Sequence, residues 1–182
     1  VGSNTGKSAI RSRGVNKLAL TEVSTEVSPA GSGSKNGLIL EGVTGETFLT
    51  WLTRCDFSSH GETGVTLSGS DGTHRVGETR INGCFIDANV GTGIKIVDYV
   101  YGVYIDGHTS LASQNGRSVD IVTTVNDNRT LDIFICNCIL DVPVNENIRA
   151  QNVGSVYLLG NWIASAGGLS GNVVWGIDML TG

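Results

Sequence analysis

The residues of this chain that could do chemistry are four cysteines, three histidines and a scatter of carboxylates. Cys136 and Cys138 flank a single Asn in DIFICNCIL (132–140), a spacing open to a metal clip or a redox pair. Cys55, Cys84, His108 and Cys138 recur at similar intervals. A Cys55–Cys84 disulfide, a zinc site, or a thiolate–imidazole dyad of His108 with Cys84 or Cys138 would each draw on such residues. Asp87 and Asp141 offer the paired carboxylates of polysaccharide hydrolysis, which stand ~5–5.5 Å apart for retention and ~6.5–9.5 Å for inversion. Asp56, Asp98 and Asp106 are further candidates. GSNTGKS (2–8) falls one residue short of a phosphate-binding loop, and neither a strand before it nor an α/β pattern after it supports a nucleotide site.

Each of these chemistries needs a backbone that brings its groups together. The composition suits strands joined by tight turns: 26 glycines, 2 prolines, abundant Val, Ile, Thr, Asn and Ser, and only 16% charged residues. A net charge of −5 with no basic cluster argues against nucleic acid as a partner. No apolar run reaches the ~18 residues of a membrane helix. The polar opening VGSNTGKS is not a secretory signal, and the abrupt start reads as part of a longer chain. Four cysteines are too few for a disulfide scaffold and fit a reducing compartment.

Five segments repeat: WLTRCDF (51–57), RINGCFI (80–86), YIDGHTS (104–110), FICNCIL (134–140) and YLLGNWI (157–163). They share an aliphatic column, Leu52, Ile81, Ile105, Ile135 and Leu158. They also share a polar column, Cys55, Cys84, His108, Cys138 and Asn161, with members 29, 24, 30 and 23 residues apart. A second set, GVTL (64–67), GIKI (93–96), SVDI (118–121), NIRA (147–150) and NVVW (172–175), follows at a nearly fixed offset, with Val65, Ile94, Val119, Ile148 and Val173 in one column, and GLIL (37–40) precedes them in the same frame. Alternation in steps of two marks both sets as strands. A repeat of 23–30 residues with short strands and no helix predicts an all-β, parallel β-solenoid of five to six coils over residues 37–182, with 1–36 as an irregular N-terminal coil or cap. A leucine-rich repeat would need LxxLxL and a helix, and an immunoglobulin-like sandwich would not hold one column in register through every repeat.

In such a solenoid, equivalent residues stack ~4.8 Å apart. The polar column is expected to face inward at a bend, with small Cys and hydrogen-bonding Asn, and with His108 as a satisfied core histidine. Cys136 falls on the outer face, so Cys136 and Cys138 are not a pair. Groups stacked in line and buried suit neither zinc nor a nucleophilic dyad, while a Cys55–Cys84 bridge stays open on spacing. Asp87 and Asp141 follow the polar column by three residues, two coils apart, hence ~10 Å. The outward column Trp51, Arg80, Tyr104, Phe134, Tyr157 is either a glycan-binding face or an oligomer contact. Phe85, Ile139 and Trp162 form a second outward strip. Thr66, Lys95, Asp120, Arg149 and Val174 form a column with alternating charges, an ion-pair ladder. The apolar end GIDMLTG needs a cover from more protein or another subunit.

The frame V-x-I-x-G-N-x-I … G-[VI]-x-[IL], over roughly residues 37–180, resembles the right-handed parallel β-helix of pectate-lyase-like proteins and bacteriophage tailspikes. The resemblance implies a right-handed, single-stranded helix. It implies a tailspike-like chain that binds, and in an enzymatic version depolymerises, bacterial surface polysaccharide during host recognition. The partners implied are two further copies in a homotrimer and flanking spike domains, on a virion or outside the cell. Two other readings stay open: a free-standing polysaccharide lyase or hydrolase, and a non-catalytic structural or adhesin module. No residues match the calcium-binding carboxylates and Arg of pectate lyases, so no metal or cofactor is expected.

Overall fold

The computed structural model describes residues 7–26, 34–112, 114–124, 130–164 and 177–180, the last four as backbone only. Its strands, in chain order, are β1 (Ser8–Arg13), β2 (Asn16–Thr21), β3 (Asn36–Gly42), β4 (Thr47–Thr53), β5 (Thr63–Gly69), β6 (Val76–Asn82), β7 (Thr92–Val97), β8 (Val100–Asp106), β9 (Ser110–Ala112), β10 (Val119–Val122), β11 (Leu131–Cys136), β12 (Ile139–Asp141), β13 (Ile148–Gln151), β14 (Val156–Leu159), β15 (Trp162–Ile163) and β16 (Ile177–Leu180). No helix occurs among the described residues, and so none long and apolar enough to cross a membrane.

Every pairing between these strands is parallel, because the chain circles once before it returns to the same sheet. The first sheet runs β1-β3-β5-β7-β10-β13-β16, the second β2-β4-β6-β8-β11-β14, and the third β9-β12-β15. Single bridges Ser24–Asp56, Asp56–Phe85 and Phe85–Ser110 extend the third sheet back to the first coils. The result is a β-solenoid of about five turns. Residues 8–26 enter the same frame, with Leu20 in register with Leu52. GSNTGKS lies mostly outside the described residues.

The aliphatic column expected from the repeat is present in full register: Leu52, Ile81, Ile105, Ile135 and Leu158. Val65, Ile94, Val119 and Ile148 form its counterpart in the first sheet. The next member is Ile177 rather than Val173, since β16 pairs with β13 through Ile148 and Ile177. The charged column therefore continues from Arg149 to Asp178 and not to Val174. Residues 172–175 lie outside the described residues.

The bends explain what the alternation does not. Lys17, Leu49, Glu78, Gly102 and Asp132 hold φ of 68°, 55°, 47°, 62° and 57° at equivalent places in the second sheet. Each interrupts its strand like a bulge and turns the chain before the alternation resumes. A second stack marks the exit from that sheet: Glu22, Arg54, Gly83, Gly107, Asn137 and Gly160, at φ of 50–65°. A non-glycine residue in this region costs of order 1–3 kcal/mol unless its surroundings enforce it. Here stacking enforces it, since straightening one bend would break the ladder to both neighbours.

Candidate functional site

The inward polar column is real, with one correction. At the exit bend of the third full coil, Gly107 and His108 both take the left-handed conformation, at φ of 65° and 62°, where the other coils use one residue. The extra residue carries His108 out to solvent and puts Thr109 in the buried place. The column is therefore Cys55, Cys84, Thr109, Cys138 and Asn161. Each member donates to the carbonyl of an aliphatic-column residue one coil back: Cys55 Sγ to Leu20 O (3.3 Å), Cys84 Sγ to Leu52 O (3.6 Å), Thr109 Oγ1 to Ile81 O (3.4 Å), Cys138 Sγ to Ile105 O (3.3 Å) and Asn161 Nδ2 to Ile135 O (2.6 Å). Small side chains with a donor fit this position, which is why thiol, hydroxyl and amide interchange there.

The Cys84 and Cys138 thiols are not activated as nucleophiles. All four cysteines are free, so Cys55 and Cys84 are not bridged. Burial pushes the Cys84 thiol up to about 11 and the Cys138 thiol up to about 12, so neither forms a thiolate near neutrality. Cys136 lies half-buried on the outer face, apart from Cys138. In native protein treated with iodoacetamide at pH 8, Cys136 is expected to be alkylated first, with Cys55, Cys84 and Cys138 following only on unfolding. Peptide mass spectrometry reads this order directly; early labelling of Cys84 would contradict the inward column. Among the described residues, no three His, Cys, Asp or Glu side chains gather as a metal would need.

The buried histidine of this fold is His60, in HGETG, a stretch that reads as a turn in the sequence. Its ring is fully enclosed, with Nε2 3.0 Å from Thr25 Oγ1 and Nδ1 2.9 Å from Ser34 Oγ. Its backbone N donates to Asn89 Oδ1 (2.9 Å), and Asn89 N donates to Gln114 Oε1 (3.0 Å). His60, Asn89 and Gln114 thus form a second polar ladder. Their separations of 29 and 25 residues were the available sequence signal.

The carboxylates serve mostly as ties between coils. Asp87 accepts from Ser110 Oγ at 3.2 Å and from Ala112 N at 2.7 Å. Burial pushes its carboxyl above the usual range, those hydrogen bonds pull it back, and the charge of Asp56 adds to the rise. Asp141 is in register with Ala112, which places it about two strand spacings, ~10 Å, beyond Asp87. The acid that interacts electrostatically with Asp87 is Asp56, one coil away. Asp98 accepts from Thr124 N and Oγ1 at 2.6 and 2.9 Å, and Asp106 accepts from Asn82 Nδ2 at 2.6 Å. Asp71 accepts from Thr73 and His74 within its own turn, and those bonds hold its carboxyl well below the usual range.

The outward column of the second sheet is in register throughout: Trp51, Arg80, Tyr104, Phe134 and Tyr157. Tyr104 and Phe134 stack at 4.8 Å and 2°, Phe134 and Tyr157 at 4.6 Å and 9°, and the Arg80 guanidinium lies 4.7 Å over the Tyr104 ring. The groups repeat at the strand spacing, so the ring faces of Tyr104 and Phe134 are filled by neighbours and their edges form a ridge. Thr53, Asn82, Asp106 and Cys136 line that ridge two residues further along each strand. Phe85 and Trp162 on the third sheet are 59% and 58% exposed, as the second apolar strip requires. On the first sheet, Asp120 takes a bidentate pair from Arg149 at 2.7 and 2.8 Å. A shallow groove of about 250 Å³ crosses that sheet beside Glu41, Glu62, Thr66, Ser68 and Lys95, a feature the columns alone did not announce.

No protein-family profile and no curated protein matches this chain.

Proposed function

We propose that this solenoid is a tailspike-like shaft that binds bacterial surface polysaccharide along the outer face of its second sheet. The observation that carries the reading is the straight line Trp51, Arg80, Tyr104, Phe134, Tyr157, one group per coil. A ligand with its own linear repeat can meet such a line many times, whereas a compact ligand would meet it once. Thr53, Asn82 and Asp106 beside it supply hydrogen-bonding groups for sugar hydroxyls. Binding is preferred over cleavage because Asp87 is held by Ser110 and Ala112, and Asp141 stands two coils away.

The exposed rings of Phe85 and Trp162, on a line that also carries Ser110 and the half-buried Ile139, favour self-association in addition, with a homotrimer as the expected state. A panel of purified bacterial capsular polysaccharides, presented as an array, tests the binding reading. Trp51→Ala and Tyr104→Ala are expected to weaken the strongest signal by about tenfold, or 1.4 kcal/mol, each. Retained binding in both variants, at unchanged oligomeric mass, would remove this face from the function.

A further inference from the structure

We infer that Arg80 reads a carboxylate on the polysaccharide, so that the ligand is an acidic glycan bearing uronic acid; this rests on the binding face proposed above. Six of the described arginines are used in a uniform way. Arg11 and Arg13 pair with Glu41, Arg54 with Glu22, Arg75 with Glu46, Arg117 with Glu146 and Arg149 with Asp120. In every case the acid belongs to an adjacent coil. Among the described arginines, Arg80 alone makes no ion pair, although it is in register between Trp51 and Tyr104 and sits on the same kind of ladder.

What holds Arg80 is the Tyr104 ring. Its guanidinium continues the ring stack at nearly the same spacing, 4.7 Å against 4.8 and 4.6 Å. The cation is thereby covered on the side of a stack three rings deep. The in-plane N–H donors are left for solvent or ligand. A fixed planar fork is matched by a carboxylate, which can accept two parallel hydrogen bonds. Pre-orientation lowers the ordering cost that a free surface arginine would meet on binding. The exposed Trp51 indole one coil away offers an apolar neighbour for the sugar that carries the acid.

The experiment crosses one protein change with one ligand change. The strongest uronate-bearing capsular polymer from the array is compared before and after carbodiimide-mediated reduction of its carboxyls to alcohols, which keeps the backbone and removes the charge. Native chain is expected to lose at least tenfold in affinity on reduction. Arg80→Gln is expected to bind both forms equally, at the level of native chain with reduced polymer. Arg80→Lys is expected to recover only part of the preference, since it restores charge without the fork. Thermal unfolding of each variant near the parent value shows that the fold is intact. If Arg80→Gln still discriminates between the two forms, or if neutral polymers bind as tightly as acidic ones, the inference falls and the binding face stands. If no polymer binds at all, the proposed function and this inference fall together.

Discussion

Ile105→Ala is expected to lower the unfolding free energy by about 2–5 kcal/mol, whereas Leu158→Ala, in the same column, is expected to cost no more than about 1 kcal/mol. Ile105 is fully buried between Ile81 and Ile135, while Leu158 is 36% exposed at the last strand of the second sheet. A cavity at Ile105 has ladder hydrogen bonds on both sides, so the neighbouring coils cannot move in to fill it. The lost transfer free energy and the void then add. In a solenoid each coil is stabilised by its two neighbours, so a weak central coil also threatens the cooperativity of unfolding. Urea titration checks both points: the midpoint should fall for Ile105→Ala, and a broadened or stepped transition would show the halves uncoupling. Equal losses for the two variants would contradict a closed central core.

The second large effect is expected at His60. Replacement by Ala removes a fully buried ring and leaves Thr25 and Ser34 without their imidazole partner. Cavity and lost hydrogen bonds together are expected to cost about 2–4 kcal/mol. His60 also gives stability a pH dependence. Burial holds its imidazole below the ordinary value of 6.5, and it outweighs the upward pulls from Ser34 and the Asp56 charge. The folded protein therefore binds this proton less readily than the unfolded chain. Its contribution is complete above pH 6.5 and is lost as pH falls from 6.5 through the lowered folded value. The slope for one such group cannot exceed about 1.4 kcal/mol per pH unit. Asp87 has the opposite sign: its raised carboxyl stabilises the fold as pH falls towards 3.8. Urea midpoints between pH 7 and 5 should therefore fall for the parent and flatten for His60→Gln. An unchanged slope in His60→Gln would place the effect elsewhere.

The alternation of Leu52, Ile81, Ile105 and Ile135 with Trp51, Arg80, Tyr104 and Phe134 was legible in the chain because strand geometry is local. Once a residue is inward, its second neighbour is too. That rule, with the repeat length, determined a parallel solenoid, its core columns, its aromatic ridge and the separation of Cys136 from Cys138. It also located the carboxylates Asp87 and Asp141 on a common line. The bends obey no such rule. Whether one residue or two turns left-handed at a corner depends on what the coils above and below impose. That choice put Thr109 inside and His108 outside. The same cause hid His60, whose enclosure depends on Thr25 and Ser34 from other parts of the chain. It also hid the engagement of Asp87 by Ser110 and Ala112, and the stacking of Arg80 on Tyr104 without an ion pair. The sequence by itself determined which residues share a face. Only the tertiary structure decided which of them are already bound to a neighbour, because contacts across coils join residues 23 to 35 apart that no local pattern connects.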